Sequence, residues 1–261
     1  MASDAYSTVV LADGPTAYWR LDDTSTTAAD LSGNGYNLTV GASVVKSQTG
    51  LLSVGSNTSM SFPNTSGLAY TCSNAARVTA LEGTTISVEA WVKATAFNAG
   101  NGAGIYGYGA LAGNPNFTMY LYSAAGTTAE IAVDANNTSG GGQMEVVSSS
   151  IMVTGTTYYL AYTYDGTTAR TYLNGVANGT TAKSGTITGY GATPGPIIGQ
   201  YWASTTASGG PFNGVVDEVA VYANKVLTPA QILNHYNTGK NLVATRVPYQ
   251  PNYQGASILS Q

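Results

Sequence analysis

Charged side chains are scarce in this chain. Lys, Arg, Asp and Glu make up 8% of its 261 residues, and the formal net charge is -4. Binding to nucleic acid needs clustered Lys and Arg, and so does binding to an anionic membrane surface, so both partners are excluded. The one cysteine, Cys72, cannot form an intramolecular disulfide and is expected as a small buried side chain. The one histidine, His235, is expected at the surface or at a helix end. Together the two are too few for a zinc site, and nothing nearby in the sequence completes a Ser-His-Asp triad. No glycine cluster is followed by Lys-Ser or Lys-Thr, so a phosphate loop is absent. No apolar run is long enough to span a bilayer, and Met1–Asp4 lacks the basic and apolar regions of a signal peptide. A polar surface without an export signal fits a protein assembled inside a cell and released by lysis. It fits equally a chain whose leader has been removed.

What is present argues for a large β-rich core. Hydrophobic residues make up 43% of the chain and tyrosine occurs 19 times, which excludes disorder. The length admits one all-β domain or two small ones. In Thr85–Val92, the residues Ile86, Val88, Ala90 and Val92 form one face, with Ser87, Glu89 and Trp91 on the other. Glu89 is then either a paired polar group in a groove or a solvated residue. Phe117, Met119 and Leu121 alternate in the next strand. The clearest hairpin runs from Thr157 to Val176: Tyr158, Leu160, Tyr162 and Tyr164 share a face, and Asp165-Gly166 supplies the turn. Ala99–Asn114 reads as a glycine-rich loop carrying Tyr106 and Tyr108, and Gln200–Pro211 as a loop displaying Tyr201 and Trp202. Near the N-terminus, Val9–Ala12 reads as either a short helix or a strand, and Ala17, Trp19 and Leu21 as one strand face.

The most specific stretch is Phe212–Gly239. A strand follows the Asn213-Gly214 turn, with Val215, Val219 and Val221 expected on one face and Asp217 out of place in that row. Thr228 suits a helix N-cap, Pro229 the first turn and Gln231 the reciprocal capping position. Ile232, Leu233 and Tyr236 form the expected apolar stripe, and Gly239 ends the helix. Beyond it, Lys240–Gln261 has no strand or helix period, and its prolines favour an extended conformation.

The segments AYWRLDD, DLSGNGYNLTV, ISVEAWVKA, AYTYDGTTARTYLNGV and FNGVVDEVAVYANKVLTPAQI, in this order, resemble the laminin-G-like members of the concanavalin-A-like jelly-roll superfamily. The resemblance implies an all-β fold for residues 1–239. Two antiparallel sheets pack face to face, the first and last strands lie side by side, and a short C-terminal helix and an extended arm, residues 240–261, complete the chain. Where a structural calcium is present, the resemblance implies that it joins the terminal strands. Asp30, Asn34 and Asp217 are the candidate ligands, Asp217 because a carboxylate in an apolar row needs a cation or several donors. The alternative for Asp217 is a purely hydrogen-bonded carboxylate fixing the Ser32–Gly35 loop.

Three functions follow for comparison. Glucanases of this architecture carry Glu-x-Asp-x-x-Glu on one strand. That pattern is absent, and the adjacent pairs Asp22-Asp23 and Asp217-Glu218 are expected to point to opposite faces, so no enzyme is expected. Tyr106, Tyr108, Tyr201 and Trp202, on loops rich in glycine, either pack or stack on sugar rings. Modules of this type also resemble those of bacteriophage tail and head-surface proteins. The first expectation is therefore a virion surface protein, attached to other virion proteins or to copies of itself through Tyr249, Tyr253, Ile258 and Leu259, with glycan contact at its loops. The alternative is a secreted bacterial carbohydrate-binding or adhesion module.

Overall fold

Period-two alternation gives strands with two apolar faces, and such strands must be covered on both sides. The computed structural model describes residues 4–55, 57–67, 69, 71–74, 83–111, 114–136, 143–148, 151–187, 194–203 and 208–241. Its first antiparallel sheet runs β14 (Val176–Ala182), β13 (Thr168–Leu173), β12 (Tyr158–Tyr164), β7 (Ile86–Ala94), β18 (Asn213–Ala223), β5 (Thr58–Pro63) and β4 (Val45–Thr49), with β1 (Ala17–Trp19) also pairing with β18. The second runs β11 (Gln143–Val147), β10 (Glu130–Asn136), β9 (Asn114–Ser123), β8 (Asn101–Leu111), β15 (Pro196–Ile198), β6 (Cys72–Ser73), β3 (Leu38–Val40) and β2 (Thr27–Ala28). A small hairpin, β16 (Tyr201–Trp202) with β17 (Ser208–Gly209), stands apart from both. The expected closure by first and last strands is present: Ala17, Tyr18 and Trp19 pair with Val221, Ala220 and Val219.

Three apolar layers result. Between the sheets, Ile86, Val88, Ala90 and Val92 meet Phe117, Met119, Leu121, Leu160 and Tyr162 in one buried cluster, which also takes in Cys72. The other face of the first sheet carries Trp91, Tyr159, Tyr172 and Tyr222, and two helices cover it. These are α1 (Ala5–Ala12), contributing Tyr6 and Val10, and α2 (Pro229–Gly239), contributing Ile232. Both helices start with a capping box, Asp4 with Ser7 and Thr228 with Gln231, which satisfies orphan N–H groups reciprocally. On the outer face of the second sheet, Trp202 packs on Ile197.

Two expectations need correction. The Ala99–Asn114 segment is not a loop: it supplies the long strand β8. A bulge between Gly104 and Tyr106 turns Ala103, Ile105, Tyr106 and Tyr108 inward and leaves Gly102, Gly104, Gly107 and Gly109 outward. Gly104 and Gly107 let the Gln200–Tyr201 stretch lie close on the strand, while Gly102 and Gly109 make room for the Tyr120 ring and the Asn116 side chain. A Cβ on Gly104 would stand 2.4 Å from the Gln200 carbonyl carbon, and a backbone atom there cannot rotate away. Gly104→Ala is therefore expected to destabilise the fold by about 1–3 kcal/mol, read from urea unfolding. Unchanged stability would mean that the segment does not sit on this glycine.

The second correction concerns β18. Its valine row does not run straight. A bulge between Asp217 and Ala220, with Glu218 at φ 53°, inserts one extra residue. Val216, Val219 and Val221 therefore face the inter-sheet core, while Val215, Ala220 and Tyr222 face the helices.

Candidate functional site

The bulge in β18 builds the first polar centre. In a regular strand Asp217 and Glu218 would diverge, as the sequence reading expected. Here both accept from the single amide nitrogen of Asn57, at 3.2 and 3.0 Å. Asp217 Oδ2 also accepts from Leu51 N at 2.8 Å, while its Oδ1 has no partner among the described residues. Glu218 accepts from Tyr18 OH and from Arg20 Nε, the latter at 3.2 Å. Arg20 continues to Asp4 at 2.6 Å and to Asp22 at 3.5 Å. Burial pushes Asp217 up to about 7. Burial and then the Asp217 charge hold Glu218 well above the usual carboxylate range. For Arg20, burial alone would lower the pKa, but Glu218, Asp22 and Asp4 outweigh it and raise it. Both acids are fully buried, so this centre ties α1 to β1 and β18 and offers no surface to a substrate.

The second centre lies under α2. His235 is not at the surface but fully buried, because positions 232, 235, 236 and 239 share the helix face that meets the sheet. Leu233, expected in the stripe, faces out instead. His235 Nδ1 lies 2.9 Å from Glu89 Oε2, and Nε2 lies 3.0 Å from Asp13 Oδ2. Glu89 also accepts from Tyr159 OH at 2.6 Å and Tyr222 OH at 3.2 Å. Of the two readings of Glu89, the paired one holds, but beneath helices rather than in a groove.

Of the candidate calcium ligands, Asp30 and Asn34 meet through Ser32 in one loop, and Asp217 lies apart with Leu51 and Asn57. Asp30 accepts from Tyr18 N and Ser32 N at Oδ1, and from Ser32 Oγ and Tyr36 N at Oδ2, all within 2.9 Å. A carboxylate has about four acceptor positions, and N–H and O–H donors fill them here. Asn34 donates its amide to Thr16 O at 3.0 Å, and Asp217 serves the Leu51–Asn57 side. Among the described residues no group of three or more His, Cys, Asp or Glu could hold a metal ion. The donor set fits a hydrogen-bonded loop clasp and does not fit a cation.

Of the four rings expected to be exposed, three are buried. Tyr106 and Tyr108 belong to the inter-sheet core, and Trp202, 2% exposed, donates its indole N–H to Gly195 O at 2.7 Å. Tyr201 alone is half-buried, on the outer face of the second sheet. There β9 presents the side that the Phe117/Met119/Leu121 alternation leaves outward: Asn116, Thr118, Tyr120 and Tyr122. Three registers cross it. Tyr122 pairs with Gly102 and Glu130, Tyr120 with Gly104 and Ala132, and Thr118 with Gly107 and Asp134. Tyr122 is 39% exposed, and Tyr120, Glu130 and Asp134 are half-buried. Thr118 Oγ1 and Tyr201 Cβ lie 3.2 and 3.6 Å from the point where a Gly107 Cβ would stand. Burial, then the Asp134 charge, raises the Tyr201 phenol. The sequence held the signal for this face in the outward half of an alternation read only for its core half. The expected arm anchors Tyr249, Tyr253, Ile258 and Leu259 lie outside the described residues.

Residues 55–233 match the family model described as the concanavalin A-like lectin/glucanases superfamily. No curated protein matches the chain. Among solved structures, it is similar to domain 4 of AbnA, a GH43 extracellular arabinanase from Geobacillus stearothermophilus, in complex with arabinotriose. That match is 20% identical with a TM-score of 0.52, covering 85% of this chain and 98% of that one. The binding domain of Paraclostridial mosquitocidal protein 1 is 13% identical with a TM-score of 0.61, covering 87% of this chain and 53% of that one. The heptameric SAP-like pentraxin of Limulus polyphemus is 17% identical with a TM-score of 0.52, covering 66% and 78%. At these identities the likeness is one of fold.

Proposed function

The chain belongs to the concanavalin A-like lectin/glucanases superfamily, and from that premise we propose that it is a non-enzymatic carbohydrate-binding domain whose ligand face is the outer side of β8, β9 and β10. One observation carries this reading. The outer face of the first sheet is closed by α1 and α2, whereas that of the second presents Tyr120, Tyr122 and Tyr201 beside Glu130 and Asp134. Tyrosine rings offer flat apolar area to sugar C–H faces, and carboxylates accept from paired hydroxyls. The arabinotriose complex of the AbnA domain, on a similar fold, supports the choice of ligand class. Burial of Asp217 and Glu218 supports the absence of hydrolysis, since a glycosidic bond has no route to them. Attachment to a virion is no part of this reading, because its expected anchors lie outside the described residues.

A glycan array with the intact chain tests the proposal. Tyr201→Ala and Tyr122→Ala are each expected to weaken binding about tenfold or more, equivalent to ~1.4 kcal/mol. Tyr122 is the cleaner probe, because its exposed ring contributes little to folding. An inert array, or two alanine variants that bind like wild type, would reject the site.

A further inference from the structure

We propose that this face takes neutral sugars and turns away glycans carrying carboxylate, sulfate or phosphate; the inference rests on the carbohydrate reading above. The sequence contains no Lys, Arg or His between Lys93 and Arg170, and none between Lys183 and Lys225. Strands β8 to β11, the β15 strand, the β16–β17 hairpin and the loops that join them fall inside those two spans. Whatever conformation those loops take, they bring no cation. Acids are present instead: Glu130 and Asp134 stand on β10.

Of the first-sheet strands that contact β11, β13 and β14, β14 carries no cation and β13 carries Arg170, which is held by Asp165 at 2.7 Å. An anionic sugar on this face would therefore lose hydration without gaining a counter-charge from these strands, and would lie beside the Glu130 and Asp134 carboxylates. Near a protein surface, a like charge about 4 Å away repels enough to shift binding about tenfold or more. Neutral hydroxyls meet the opposite situation. Carboxylates accept from vicinal hydroxyl pairs.

Affinity electrophoresis of the intact chain in gels containing arabinan, galactan, mixed-linkage β-glucan, polygalacturonate or alginate, at low ionic strength, is the test. The expected result is retardation by at least one neutral polymer and, for both polyuronates, binding at least about tenfold weaker. Asp134→Lys and Glu130→Lys are made as charge reversals, with melting temperature as the folding control. Each is expected to gain polyuronate retention that high salt removes. Wild-type retention by a polyuronate equal to that by the neutral polymers overturns the selectivity and leaves the carbohydrate reading standing. So does an unchanged neutral-to-acidic ratio in folded charge-reversal variants. Retardation by none of the five polymers overturns both.

Discussion

His235→Ala is expected to lower the unfolding free energy by about 3–5 kcal/mol at pH 6, the cost typical of removing one partner from a buried ion pair. The reason is Glu89. Its carboxylate is fully buried, and its partners are the Tyr159 and Tyr222 hydroxyls and His235 Nδ1. Without the imidazole, two neutral phenols must hold a buried negative charge. The same residue also links α2 to Asp13 at the end of α1, so the helical cover loosens along with the charge pair. Burial pushes the His235 pKa down, but Glu89 and Asp13 outweigh it and hold it above the ordinary value. The sign follows. A raised pKa adds stability that is fully present below the unfolded value of 6.5 and fades as pH rises through the folded one. The gap between wild type and His235→Ala should therefore narrow from pH 6 to pH 9. A double-mutant cycle with Glu89→Gln isolates the pair and should give a coupling above about 1.5 kcal/mol. If His235→Ala unfolds in urea at the wild-type midpoint at pH 6, the pairing described here is wrong.

Where local period and global fold agreed, the sequence was readable. The inward faces of β7, β9, β12 and β13 follow period two without interruption, and the Thr228 cap falls where Thr-Pro-x-Gln predicts. Five ordered motifs pointed to the laminin-G-like, concanavalin-A-like group, and the family match bears that out. Reading failed at three kinds of position. Glycines in β8 looked like loop residues, because glycine lacks the side chain that gives a strand its pattern. Their purpose, close approach of Gln200, Tyr201 and the β9 side chains, is visible only once those neighbours are in place. In β18 a single residue at positive φ exchanged two faces, and a bulge leaves no signature in an alternation counted from one end. Buried charge was the third. His235 was expected at the surface or at a helix end, and Glu89 was left as either paired in a groove or solvated, because a lone charged side chain belongs in water. Their partners lie tens to hundreds of residues away in the chain, so pairing could not be read locally. The candidate rings fall between these cases. Tyr201 lies half-buried on the outer face of the second sheet, Tyr106, Tyr108 and Trp202 went to packing, and Tyr120 and Tyr122 were passed over because the core claimed the other half of their strand.

The buried acids of the β18 bulge lead to the other large expectation, that Asp217→Asn makes the protein more stable above neutral pH. The carboxyl is expected near 3.8 when unfolded and is pushed up to about 7 by burial when folded. Between those values the folded chain holds a proton that the unfolded chain has released. Wild-type stability therefore falls as pH rises from about 4 to about 7 and levels off above that. At ~1.4 kcal/mol per unit, the full effect is roughly 4 kcal/mol, shared with Glu218 because the two acids oppose each other's ionisation. An asparagine stays neutral throughout. Its carbonyl can keep the bonds from Leu51 N and Asn57 Nδ2, and its amide nitrogen would occupy the place of the unpartnered Oδ1. Allowing about 1–3 kcal/mol for a buried amide hydrogen without a partner, the variant should gain about 1–3 kcal/mol at pH 8. At pH 4 it should match wild type or fall below it, and its stability should depend less on pH between 4 and 7. Melting curves at half-unit intervals across that range decide the matter. A variant whose slope equals that of wild type would place the titrating proton elsewhere, and one uniformly destabilised at every pH would mean that the carboxylate is needed charged, as the counter-ion of Arg20.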